Sequence, residues 1–193
     1  MLAAVILSGG ASRRMGSPKA LLSYQGRPFL EHLLDVSRHA KIGARRVVLG
    51  ADAEPISKEV QLAPEEIVIN QDWERGQLSS IHAALRSLPA QTDGIVLFLI
   101  DHPLISAALV DELITSFYDS GKLIVLPVCD GRRGHPVVFS SALYAELLNA
   151  PAETGARSVV WAHAGEIQAV RTNEEGCILN LNDPDTLQRT FGT

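Results

Sequence analysis

An α/β fold with a mostly parallel central sheet and helices on both faces is predicted by two features of the sequence. Apolar runs of strand length alternate with segments of helical period, which is the pattern of strand–helix–strand units. The runs are also apolar at successive positions, not at alternate ones, as expected of strands covered on both faces. The first run, Leu2–Leu7, is followed by Arg46–Leu49, Ile67–Ile69, Ile95–Ile100 and Leu123–Leu126. Between them, Phe29–His39 carries apolar residues at 29, 30, 33, 34 and 36, on one helical face. Ile81–Leu88 and Ala107–Phe117 also fit helices, the second opened by Ser106 as an N-cap with Asp111 and Glu112 soon after. The stretch from Asp130 to Phe139 is richer in turn residues and reads as looser structure. No repeat, linker or low-complexity tract interrupts the pattern, so one domain over residues 1–193 is expected.

Bulk composition narrows the function. Hydrophobic residues make up 46% and charged residues 20%, which favours a folded globular chain over a disordered one. A net charge of -5 argues against general nucleic-acid binding, because such proteins carry a basic excess. Any anion must therefore be met by locally gathered cations. Cys129 and Cys177 are far apart and form no CxxC pair, so they read as reduced thiols of a cytoplasmic protein. The opening run lacks a basic leader and stops at Ser8-Gly9-Gly10, so it reads as a buried strand and not as a signal. No stretch has the length of a membrane span.

The first chemical motif is Leu7-Ser8-Gly9-Gly10-Ala11-Ser12-Arg13-Arg14-Met15-Gly16-Ser17-Pro18-Lys19. A strand that runs into glycines lets backbone N–H groups approach phosphate oxygens closely, and Arg14 and Lys19 add fixed positive charge. The spacing fits neither the Walker loop nor the dinucleotide fingerprint. A second site follows the run Ile95–Ile100, where Asp101 precedes His102-Pro103. Ligands of such folds bind at the C-terminal ends of strands, and a carboxylate there suits a hard cation such as Mg2+.

The loop resembles the L-x-x-G-x-S-x-R-M-G-x-x-K signature of the molybdenum-cofactor nucleotidyltransferases, a branch of the Rossmann-like nucleotidyl and sugar-phosphate nucleotidyltransferases. Gly10, Ser12, Arg14, Met15, Gly16 and Lys19 stand on signature positions. The resemblance implies a Rossmann-like nucleotidyltransferase domain with catalytic Arg14, Lys19 and Asp101. Nucleotide binding is implied for Leu7, Ser8, Gly9, Gly10, Ser12, Arg14, Gly16 and Lys19. Asp101 takes the place of the D-x-P metal aspartate, with Mg2+ as cofactor. Gly76-Gln77-Leu78-Ser79-Ser80 resembles the segment that contacts base and sugar, which implicates Gly76, Ser79 and Ser80. Gly131-Arg132-Arg133-Gly134-His135-Pro136 resembles the cytidylyl branch and implies acceptor binding by Arg133 and His135; Thr154-Gly155-Ala156-Arg157 is similar to a stretch of the same branch. Near the C-terminus Asn180 and Asn182 stand where the family has two acids or amides. Both are expected near the acceptor, and Asn182 also as a metal ligand.

By this resemblance the chain joins a nucleoside monophosphate from CTP or GTP to molybdopterin, or to its molybdenum-loaded form, and releases pyrophosphate. A recipient molybdoenzyme or its chaperone is an implied partner. Gly9-Gly10 and the two asparagines lean towards GTP; the Gln77–Ser80 and Gly-His-Pro segments lean, slightly more strongly, towards CTP. Gly9 is expected beside the base or ribose. Two other classes stay open: a transferase for a sugar phosphate or polyol phosphate, and a non-catalytic cofactor-binding chaperone or nucleotide sensor. His32, His39, His82 and His163 are expected in helices, at no metal-binding spacing.

Overall fold

The computed structural model describes residues 1–12 and 16–192. Its main sheet is built on β1 (Leu2–Ser8), which lies parallel to β4 (Ile42–Leu49) on one side and β6 (Gly94–Leu99) on the other. β5 (Ile67–Ile69) extends the β4 edge in parallel. On the far side β9 (Val137–Ser140) runs antiparallel between β6 and β7 (Ile124–Cys129). β10 (Ile167–Arg171) completes that edge in parallel with β7, and β8 (Arg132–Arg133) folds back on β7. A small hairpin, β2 (Ser23–Tyr24) with β3 (Arg27–Pro28), stands apart. The helices are α1 (Phe29–Val36), α2 (Ala53–Glu59), α3 (Gln77–Arg86), α4 (Ala107–Ser120), α5 (Tyr144–Leu148), α6 (Ala156–Ala162) and α7 (Pro184–Phe191).

The continuous apolar reading of β1 has a direct cause. Leu2, Ala4 and Ile6 enter one core layer with Leu30 and Leu33 of α1, Ile56 of α2 and Leu113 of α4. Ala3, Val5 and Leu7 enter the opposite layer with Ile81 of α3, Leu147 of α5 and Val159 of α6. Every residue of the strand is buried, because alternate side chains meet helices on alternate faces. Each large aliphatic side chain so buried contributes about 1.5–3 kcal/mol. β1 is thus held as a rigid rail whose C-terminal end delivers Ser8.

Several elements differ from expectation, each for a local reason. The stretch from Asp130 contains β8 and β9, and β9 is an interior strand. Asp130 and Gly131 both take positive φ, 49° and 74°, and reverse the chain so that Arg132–Arg133 pairs with Val128–Cys129. After a cis His135–Pro136 bond, Val137-Val138-Phe139 then enters the sheet. Helix α1 stops at Val36: Ser37 caps it, its hydroxyl donating to the Leu34 carbonyl at 2.8 Å. His39 therefore lies beyond that helix and bonds Asp111 at 2.9 Å, and His163 sits at the end of α6. Ser106 caps α4 as expected, accepting from the Leu109 amide at 3.1 Å. Its own amide and hydroxyl both donate to Glu174, at 2.5 and 2.7 Å. No helix among the described residues is long and apolar enough to cross a membrane.

Candidate active site

The C-terminal ends of β1 and β6 open into a cleft of about 960 Å³. Leu7, Ser8, Gly9, Gly10, Ser12, Lys19, Gly76, Ser80, Asp101, Arg133, His135 and Asn180 line it together. Residues separated by most of the chain thus share one cavity, of a size that holds a substantial ligand. Arg14 lies outside the described residues. Gly16, exposed with φ of 70°, does not line the cleft.

The phosphate-loop side is fixed by backbone contacts. The Ser12 hydroxyl accepts from the Lys19 amide at 2.8 Å, joining the two ends of the loop. The Ala51 amide donates to the Gly9 carbonyl at 3.3 Å, and Gly50 passes directly beneath. A Cβ on Gly50 would fall 2.1 Å from that carbonyl and 2.7 Å from the Trp73 Cβ. Gly50→Ala is therefore expected to cost about 1–3 kcal/mol of stability through backbone displacement. The same displacement should weaken triphosphate binding, read as a smaller rise in melting midpoint when nucleotide is added. An unchanged midpoint and an unchanged ligand response would show that the loop is not held from below.

Gly9 lines the cleft next to Ser80, and a Cβ there would meet the Ser80 Oγ at 2.7 Å. An added methyl would press on the Ser80 hydroxyl, which accepts from the Asn70 amide nitrogen at 3.0 Å. Ser79 is turned away from the cleft. Its hydroxyl donates to the carbonyls of Gly76 and Asp72, at 2.7 and 2.9 Å, and accepts from Asn70 at 2.8 Å. Ser79 thus braces the start of α3, leaving Ser80 and Gly76 at the cleft wall. Asn70, buried at the end of β5, orders both serines; only its place directly after Ile67–Ile69 hinted at this role.

On the other side three segments converge. The Ile100 amide donates to the Leu7 carbonyl at 3.2 Å, tying the end of β6 to β1 just before Asp101. The Leu181 amide donates to the Asp101 carbonyl at 2.8 Å, and the Asn180 side-chain nitrogen donates to the Asp101 carboxylate at 2.7 Å. The His135 amide donates to the Cys177 carbonyl at 2.8 Å, which brings the β8–β9 connection against the same segment. The Asn180 Oδ1 is buried and has no protein partner. Asn182 is arranged differently: its Oδ1 accepts from the Lys19 Nζ, and it does not line the cleft. An oxygen already bonded to an ammonium is a poor cation ligand, which weighs against Asn182 as a metal ligand in this arrangement.

His102 was not anticipated as a site residue. It is only 6% exposed, lines the cleft, and lies tilted against His135 with ring centroids 5.1 Å apart. Burial pushes the His135 imidazole down to about 4, helped by neighbouring His102 and opposed by Asp101. Burial lowers His102 as well, against the pull of Asp101. Both rings are therefore neutral at neutral pH and offer hydrogen bonds, not charge. The Nδ1 atom of each is buried without a protein partner. A histidine directly after a strand-end aspartate was the available signal.

The MobA-like NTP transferase domain model matches residues 4–167. The chain belongs to that nucleotidyltransferase family. Nicotine blue oxidoreductase of Paenarthrobacter nicotinovorans is 32% identical over 152 residues, spanning 72% of this chain and 71% of that protein. A probable molybdenum cofactor guanylyltransferase of Mycobacterium marinum is 29% identical over 191 residues, 94% of this chain and 89% of the relative. Among solved structures, Rv0371c from Mycobacterium tuberculosis H37Rv superposes with a TM-score of 0.84 at 27% identity, covering 100% of this chain and 98% of that one. A structure of the same protein in complex with manganese superposes at 0.76. These nucleotidyltransferase folds share the mixed, mostly parallel sheet of this MobA-like chain.

Proposed function

We propose that this MobA-like transferase joins a nucleoside monophosphate, taken from a nucleoside triphosphate, to the terminal phosphate of a molybdopterin-type acceptor. The observation that carries this reading is the single cleft that gathers Lys19, Asp101, Asn180 and His135 at the ends of β1, β6 and β8. Names of relatives that include molybdenum cofactor guanylyltransferase support the acceptor class.

In the reaction an acceptor phosphate oxygen attacks the α-phosphorus as the bond to the β-phosphate oxygen breaks and pyrophosphate leaves. A phosphate monoester is already largely ionised near neutral pH, so no general base is needed. The protein's task is positioning and charge. Backbone groups of Ser8–Ser12 and the Lys19 ammonium would hold the triphosphate and offset charge passing to pyrophosphate. Gly76 and Ser80 would border the nucleoside. Arg133, with the neutral His102 and His135 rings, would orient the acceptor. The Asp101 carboxylate, with the Asn180 amide bonded to it at 2.7 Å, supplies hard oxygen donors at the cleft that would hold Mg2+, its remaining positions left to water and phosphate. When bound, Mg2+ would neutralise and polarise the phosphates.

Nucleotide choice is tested by competition. With CTP and GTP at equal concentration and molybdopterin present, the cytidine dinucleotide is expected to form at least as fast as the guanosine one. The Gln77–Ser80 and Gly134-His135-Pro136 segments support CTP, whereas the guanylyl names among relatives support GTP as the second reading. A product that is almost only guanosine dinucleotide overturns the CTP reading. Pyrophosphate release tests the reaction class itself. It is expected only with acceptor present, and its absence with every triphosphate would favour a redox role, as the name of the nicotine blue oxidoreductase relative suggests.

A further inference from the structure

Both of the chain's tryptophans line the cleft. Trp73 stands against Gly50, beneath the phosphate loop. Trp161 belongs to α6, on the acceptor side. That helix buries Val159 in the core and presents Ala156, Arg157, Val160 and Trp161 to the cleft. The spacing of 156, 157, 160 and 161 is that of one helical face, so Arg157 and Trp161 are one turn apart on it. Arg157 is near enough to His135 for its charge to be felt there. The helix therefore runs from the anion-binding residues outwards, and Trp161 stands one turn further along.

Trp161 is 60% exposed, more than any other large apolar side chain among the described residues. Met1, Ile69 and Tyr118, the other exposed ones, do not line the cleft. An indole left largely to water is not explained by core packing, yet this one borders the cavity where the acceptor is read to bind. A broad π-face next to a guanidinium suits a flat heterocycle joined to an anionic group. An open-chain polyol phosphate has no such face to offer.

We propose that the Trp161 indole is the stacking surface for a fused, planar ring of the acceptor, with Arg157 holding the anionic group beside it. This rests on the acceptor reading above and makes Trp161 the residue that separates ring-bearing acceptors from ring-less phosphates.

The test uses the full chain with Mg2+ and two probes: a pterin bearing a phosphate monoester on its side chain, and glycerol 3-phosphate. Binding is measured calorimetrically for wild type, Trp161→Ala and Trp161→Phe. Loss of one stacking aromatic is expected to raise the Kd of Trp161→Ala for the pterin about tenfold or more. Trp161→Phe, which keeps a ring, is expected to stay within about threefold of wild type. Glycerol 3-phosphate and triphosphate binding should be unchanged in both variants. In a Trp73→Phe background Trp161 is the sole tryptophan, and its emission should be quenched by the pterin but not by glycerol 3-phosphate. A wild type that binds the pterin while Trp161→Ala binds it equally well overturns the stacking assignment and leaves the acceptor reading standing. Equal weakening of pterin and glycerol 3-phosphate also overturns it, since the effect would then not depend on a ring. A wild type that does not bind the pterin overturns the acceptor reading and this inference together.

Discussion

Asp101→Asn is expected to lower kcat/KM by about a hundred- to a thousandfold, the scale for losing one preorganised charged contact in a transition state. The substitution isolates charge from geometry. An amide at 101 can still accept from the Asn180 side-chain nitrogen, which now donates to the carboxylate at 2.7 Å. The Leu181 amide bond to the residue 101 carbonyl is a backbone contact and survives any side-chain change. The unfolding midpoint should therefore stay close to that of wild type. Asp101→Ala behaves differently, because it leaves the part-buried Asn180 nitrogen without its acceptor. That should add about 1–3 kcal/mol of destabilisation to the same loss of turnover. Pyrophosphate release at saturating Mg2+, set beside urea midpoints for both variants, reads the two effects separately. Near-normal turnover in Asp101→Asn would remove the carboxylate from the metal site.

The unequal legibility of the sequence has a physical basis. β1 and β6 were plain because both faces of each are covered, so their residues read as unbroken apolar runs of strand length; β5 read as such a run too, although it is an edge strand that leaves Ile69 exposed. β9 was hidden although it is just as interior. It is four residues long and is preceded by the Asp130–Gly131 turn, the two-residue β8 and Gly134-His135-Pro136, so turn chemistry masked Val137-Val138-Phe139. Within the cleft, the strand-end position of Asp101 followed from topology alone, since ligands collect where parallel strands end. Side-chain direction did not. Ser79 and Ser80 are neighbours that both accept from Asn70, yet one braces α3 through the Gly76 and Asp72 carbonyls while the other borders the cavity. The same holds for Asn180 and Asn182. The family resemblance implicates both in the same site, but only the fold reveals that Lys19 takes the oxygen of one and leaves the oxygen of the other unpartnered.

That contact shapes the expected result for Lys19. Lys19→Met keeps most of the apolar stem and removes the ammonium, so it tests charge with little change in packing. Turnover is expected to fall by about 2–4 kcal/mol of transition-state stabilisation, because the ammonium would offset charge passing to the departing pyrophosphate. Stability should change much less. The amide of residue 19 still donates to the Ser12 hydroxyl at 2.8 Å, so the ends of the loop stay joined. The Asn182 oxygen loses a donor in a half-buried setting where water can replace it, at a cost of about 1 kcal/mol. Asn182→Ala removes the tether and keeps the ammonium. If the tether only positions the charge, that variant should lose about tenfold in turnover, roughly 1.4 kcal/mol, and clearly less than Lys19→Met. Steady-state pyrophosphate release and thermal midpoints, measured on the same preparations, give both numbers. A Lys19→Met protein that melts early and turns over normally would make Lys19 a strut for the C-terminal segment, with no part in the chemistry.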